Sequence, residues 1–231
     1  MTIRPSERRF FAVSLLFCCL ILSLYYLPFS EAQENKTDGV TDVSVLLRRL
    51  GRQVSDFKSL KTDFVQEKDL AIFQNKIILK GRIYLQKPGR IAWHVDKPVK
   101  YSVLITDTMI RQWDEDTDQV QEISLSKNPV FKVAIGQLTT WFNGDYISLL
   151  DDYTVRIRRQ NPFVLEFFPK ETNAAKKFIK SVTITFREDE KYLKQIKIQE
   201  PSGDSTTLSF EGTVLNAPLE ERFFKVNCRV R

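Results

Sequence analysis

Histidine is almost missing from this chain. His94 is the only one, and of the three cysteines Cys18 and Cys19 lie in an N-terminal apolar run, leaving Cys228. One histidine and one further cysteine cannot furnish the usual zinc sites. A lone thiol closes no internal disulfide, so the fold must rest on burial. A Ser-His-Asp triad would have to use His94, which follows Trp93 in a strand-like stretch with no nucleophile-elbow motif in the chain. Walker loops, GxGxxG fingerprints and CxxC pairs are absent as well. The acids gather in hairpin tips such as 114–118 (DEDTD), and nothing selects two of them as glycosidase carboxylates. The residues therefore point to no enzyme, no metal and no other cofactor.

Only one long apolar run is present. Arg4, Arg8 and Arg9 precede an apolar stretch from Phe10 to Phe29, and Ser30-Glu31-Ala32 places small residues at the positions a signal peptidase reads. This predicts a secretory signal over 1–32, a cut before Gln33, and one domain over 33–231 working outside the cytoplasm. The run is also long enough to span a bilayer, so the alternative is an uncut inner-membrane anchor. Pro28 and the Ser-x-Ala site favour cleavage. Leu16 and Phe17 occupy positions where a lipobox needs small residues, so Cys18 and Cys19 belong to the apolar run. The net charge of +6 is interspersed with acids. It predicts a solvated surface, at most weakly attracted to anionic headgroups, and no nucleic-acid stripe.

What the chain does have is clear periodicity. Val43, Leu46, Leu47, Leu50, Val54 and Phe57 recur at helical spacing and predict an amphipathic helix over 42–57. A period of two then runs through 77–86 and 90–96, around a Lys87-Pro88-Gly89 turn. It continues at 99–105 and in Met109, Arg111 and Trp113. Asn128-Pro129 opens a second helix carrying Val130, Phe131, Ala134, Ile135, Leu138, Trp141 and Phe142, which Asn143-Gly144 ends. A short helical turn is expected at 145–150. Strands follow at 153–158, 163–168, 178–186, 192–199, 205–211 and 222–227. Ten or eleven short strands and two or three one-sided helices predict an α+β, mainly β fold: a strongly curved antiparallel sheet with helices on its concave side. A closed lipocalin-like barrel would leave the helices nothing to cover. Any single residue of the aromatic bulk on the second helix, or of Phe163, Leu165 and Phe167 on one strand face, reads as core before pocket; taken together, over a curved sheet with few helices, they suit the wall of an acyl-chain pocket.

Residues 57–68 (FKSLKTDFVQEK), with an aromatic followed by a Phe-x-Gln element, and 81–98 (GRIYLQKPGRIAWHVDKP), a Gly–strand–Lys-Pro–turn–Trp–Pro hairpin, resemble the LolA family of periplasmic outer-membrane lipoprotein carriers. The strand ending at Trp113 and the proline-led helix follow in the family's order. The resemblance implies an unclosed half-barrel lidded by helices over an apolar cavity that holds lipoprotein acyl chains. It implies a monomeric periplasmic chaperone that receives cargo from an inner-membrane lipoprotein-releasing ABC transporter and passes it to an outer-membrane acceptor, with no hydrolysis of its own. The family's latch arginine corresponds to Lys87, whose ammonium lacks the planar fork. Phe131 and Ile135, with Leu138, occupy the lid segment expected to meet that latch. Ile91 and Trp93 match family cavity positions. Strand parity adds Ile83 and Leu85, and the cavity is expected to extend over Val103, Ile105, Trp113, Phe163, Leu165 and Phe167. Two other readings stay open: a periplasmic binder of another lipid or glycolipid, and an inner-membrane-tethered sensory or structural domain.

Overall fold

A computed structural model describes residues 40–72 and 76–226. The predicted signal, its cleavage point and Cys228 lie outside the described residues.

Helix α1 (Val40–Ser55) buries Leu47, Leu50 and Val54 completely, as its apolar stripe requires. Eleven strands follow as one antiparallel sheet: β1 (Ser59–Asp69), β2 (Ile77–Gln86), β3 (Arg90–Lys97), β4 (Tyr101–Ile105), β5 (Met109–Asp114), β6 (Gln119–Ser124), β7 (Tyr153–Gln160), β8 (Phe163–Pro169), β9 (Ser181–Phe186), β10 (Leu193–Gln199) and β11 (Ser205–Leu215). Their order is β6-β5-β4-β3-β2-β1-β11-β10-β9-β8-β7. Two meanders are thus joined at β1–β11, and β6 and β7 remain as unpaired edges of an unclosed half-barrel.

That topology positions the lid. The chain must pass from one edge strand to the other, and it does so across the concave face as α2 (Pro129–Asn143) and the short α3 (Leu149–Asp152). Pro129 suits the first turn of α2, and Gly144, at φ 81, ends it with its N–H donating to Thr140 O at 3.2 Å. The crossing of α1 and α2 is close. A Cβ on Gly51 would lie 2.5 Å from Gly144 O, and one on Gly144 would lie 2.8 Å from Gly51 O. Only glycines admit this approach.

Two expectations are corrected here. The central strand β1 was not among the predicted strands. Its inward residues are Leu60, Thr62, Phe64, Gln66 and Lys68, all buried, and the polar members hide the alternation. The C-terminal strand expected at 222–227 is instead a 3-10 turn, Glu221–Phe224, within a segment that crosses the convex side of β2 and β3. There Phe223 stacks on Tyr84 at 4.4 Å, Arg90 forks onto Glu221 with two bonds of 2.8 Å, and His94 Nε2 donates to Phe223 O at 2.7 Å. Burial pushes the His94 imidazole below its ordinary value.

Candidate functional site

The strand register builds the concave face in rows. One row runs Leu215, Leu60, Leu85, Ile91, Ile105, Ile110 and Ile123; the next runs Thr62, Ile83, Trp93, Val103 and Gln112. Ile83, Leu85, Ile91, Trp93, Val103 and Ile105 are all buried there, and Phe64 and Trp93 pack ring to ring at 4.9 Å. On the other meander Leu165 and Phe167 are fully buried on the same side. Phe163 shares their face at the rim, half-buried, with the Arg49 guanidinium 5.2 Å from its ring centre. Burial of each large apolar side chain stabilises by about 1.5–3 kcal/mol.

Trp113 does not belong to this face. Its partner across the ladder is Ser102, whereas Ile110 and Gln112 are the β5 residues beside Ile105 and Val103. The Trp113 indole lies on the convex side and donates to Asp118 Oδ1 at 3.0 Å. Counting from Met109 put the strand out of phase by one residue, which turns every side chain to the opposite face.

Helix α2 covers the rows unevenly. Its C-terminal end is deeply held: Trp141 meets Phe167 edge-on at 4.9 Å and Tyr153 at 5.7 Å, and Phe142 meets Phe210 at 5.8 Å. The phenols of Tyr146 and Tyr192 donate to Trp141 O at 3.3 Å and Phe142 O at 3.4 Å. Burial raises both phenol pKa values far enough that they stay protonated donors. In the N-terminal half only some side chains are described. Ile135 is buried, Phe131 and Leu138 are only half-buried against the core, and nothing lies within 4 Å of a Cβ placed on Gly136. Between this stretch and the β2–β3 hairpin lies a cavity of about 270 Å³, lined by the apolar Leu85, Ile91, Ile105, Leu125 and Ile135 but also by polar groups such as Arg90 and Asp107.

Lys87 acts on the other helix. Its Nζ donates to Ser55 O at 2.6 Å, at the C-terminal end of α1, and sits 4.0 Å over the Phe57 ring. The expected meeting with the α2 segment of Phe131 and Ile135 is replaced by a cap on α1, where a cation suits the exposed carbonyls and the helix dipole. Desolvation lowers the Lys87 pKa, partly opposed by Asp56.

Periodicity did not single out the polar half of the floor. Lys68 Nζ and Glu200 Oε1 form a buried pair at 3.0 Å, and Gln66 lies between that pair and Phe64 on the same strand face. Among the described residues no His, Cys, Asp and Glu side chains cluster as a metal site requires. No helix among them is long and apolar enough to cross a membrane.

A family model described as "Outer membrane lipoprotein carrier protein LolA" matches residues 55–227. An outer-membrane lipoprotein carrier protein of Chromohalobacter salexigens is 22% identical over 176 residues, covering 76% of this chain and 80% of the relative. One of Pseudomonas putida is 22% identical over 149 residues; that match covers 63% of this chain and 64% of the relative, just under two thirds of its length. An uncharacterized conserved protein of Thermus thermophilus superposes with TM-score 0.50 at 10% identity, covering 79% of this chain and 93% of that one, and shares the fold.

Proposed function

The chain belongs to the LolA family of outer membrane lipoprotein carrier proteins, and we propose from this that it carries lipoproteins through the periplasm by holding their acyl chains against the concave face under α2. What supports this most is the row Leu85, Ile91 and Ile105, which is apolar, buried, and shares a cavity with Ile135, Gly136 and Thr139 of α2. The space already open, about 270 Å³, is just below the roughly 300 Å³ at which ligand pockets begin. Cargo therefore enters by displacing Ile135, Phe131 and Leu138 rather than by filling a finished hollow.

Exchange of this kind is nearly balanced. Apolar surface removed from water contributes about 25 cal/mol per Å² whether a helix or an acyl chain covers it. Small differences decide direction, so the carrier hydrolyses nothing. An inner-membrane ABC transporter loads it and an outer-membrane acceptor with tighter binding unloads it. Lys87 restrains α1 while α2 moves.

Ile91→Glu tests the assignment. A carboxylate in the buried row carries a desolvation penalty of several kcal/mol unless it is protonated or paired. Binding of a diacylated lipopeptide, followed by calorimetry, should fall at least a hundredfold while the circular dichroism of the sheet is retained. Wild-type affinity in that variant would remove Ile91 from the cavity. The position of Lys87, where the family has arginine, supports a second reading: the same fold carrying another acylated lipid. Mass spectrometry of material copurified with the protein separates the two.

A further inference from the structure

We propose that a cleft at the rim of the sheet seats the peptide backbone at the acylated end of the cargo, a role that rests on the carrier reading above. The cleft measures about 450 Å³, within the range of ligand pockets. It lies between the β4–β5 turn, the end of β6 and the first turn of α2. Asp107, Leu125 and Lys132 line both this cleft and the apolar cavity of about 270 Å³, so the two adjoin. Most of the cleft is polar, and part of that lining is already engaged. Glu122 is paired with Arg111 at 2.9 Å, and the Ser124 and Ser126 hydroxyls bond to each other at 2.9 Å. Asp107 and Lys132 differ. Among the described residues they form no ion pair, either with each other or with a third side chain. A Cβ on Gly89 would collide with the Asp107 carboxylate, so the β2–β3 turn fixes where that acid stands.

An ammonium only donates and a carboxylate only accepts. One group that satisfies both Lys132 and Asp107 must carry an acceptor and a donor. A peptide unit does, with its C=O towards Lys132 and its N–H towards Asp107. Esters and phosphates offer acceptors alone. A phosphodiester headgroup would engage Lys132 but bring its negative charge against Asp107 and Glu122, and like charges set together reject a wrong partner. The acyl chains of a lipoprotein hang from its terminal residue. Chains held in the apolar cavity therefore bring the first peptide units to its edge, beside Lys132. The cleft reads what the chains are attached to, while the rows of Ile and Leu hold the chains themselves.

The test compares two probes with identical acyl chains on the purified full chain, by calorimetry: a short peptide bearing a diacylglyceryl-cysteine, and phosphatidylglycerol. Wild type should prefer the lipopeptide by at least about tenfold, the worth of one charge-assisted hydrogen bond. Asp107→Ala should weaken the lipopeptide by that factor and leave phosphatidylglycerol bound as before or more tightly. Lys132→Met should weaken both probes, because both offer it an acceptor. Both positions are exposed, so the melting temperatures should stay at the wild-type value. Equal affinities in wild type, or an undiminished preference in Asp107→Ala, would overturn the peptide seat and leave the carrier reading standing. Tighter binding of phosphatidylglycerol would overturn the seat in favour of another acylated lipid as cargo. Wild type that binds neither probe would overturn both the seat and the carrier reading.

Discussion

Lys87 shows how far one side chain reaches in this fold. Its ammonium satisfies a carbonyl that the end of α1 would otherwise leave to water, and its position over Phe57 adds a cation–π contact. The side chain is only partly buried, so the contribution is discounted to about 1 kcal/mol. Lys87→Met keeps the stem and removes the donor. Urea unfolding should show that loss, together with faster lipid uptake as α1 loosens. Unchanged stability and uptake would mean the cap does no holding. The position of Lys87 ahead of the hairpin proline was legible in the sequence, but the helix it meets was not, because that depends on the path of α1 over the sheet. Trp113 is the complementary case. Its bulk argued for the interior, yet β5 lies next to an open edge and turns the polar Gln112 and Asp114 to the concave side. Side-chain size was a poorer guide than register there.

Helices and strands differed in how openly they could be read. The stripe of α1 and the Asn128-Pro129 to Gly144 bounds of α2 follow from local chemistry, and they appear within two residues of where they were expected. Strand β1 escaped because its buried face carries the polar Thr62, Gln66 and Lys68, and the partners of Thr62 and Lys68 come from distant β11 and the turn after β10. The 3-10 turn at Glu221–Phe224 was mistaken for a strand because Phe223 and Phe224 both bind the convex side, outside any ladder. The Gly51–Gly144 crossing gives this scale its prediction. Gly51→Ala should gain up to about 1 kcal/mol of helix propensity but meet a backbone oxygen at 2.5 Å, with overpacking of about 1–3 kcal/mol. The net expectation is a lower urea midpoint. Gly136→Ala, with nothing within 4 Å, should instead raise it by a few tenths to about 1 kcal/mol. Equal shifts in the two variants would show that the crossing is not tight in solution.

The whole molecule follows from one topological fact. A sheet whose ends do not meet needs a connection between its two edges, and that connection lies across its apolar face. The general architecture was legible in the alternation of strand and helix periods; the asymmetry of the lid was not. Trp141, Phe142, Tyr146 and Tyr192 pin the C-terminal end of α2, while Phe131 and Leu138 stay half-buried against the core. Motion should therefore begin at the N-terminal half, with Gly144 as the fixed end. Hydrogen exchange with and without a saturating diacylated lipopeptide tests this most directly. The account predicts faster exchange in the first turns of α2, unchanged protection near Gly144, and slower exchange across β2, β3 and β4 in the complex. Lipopeptide bound with the whole of α2 as protected as before would place the acyl chains elsewhere and contradict it.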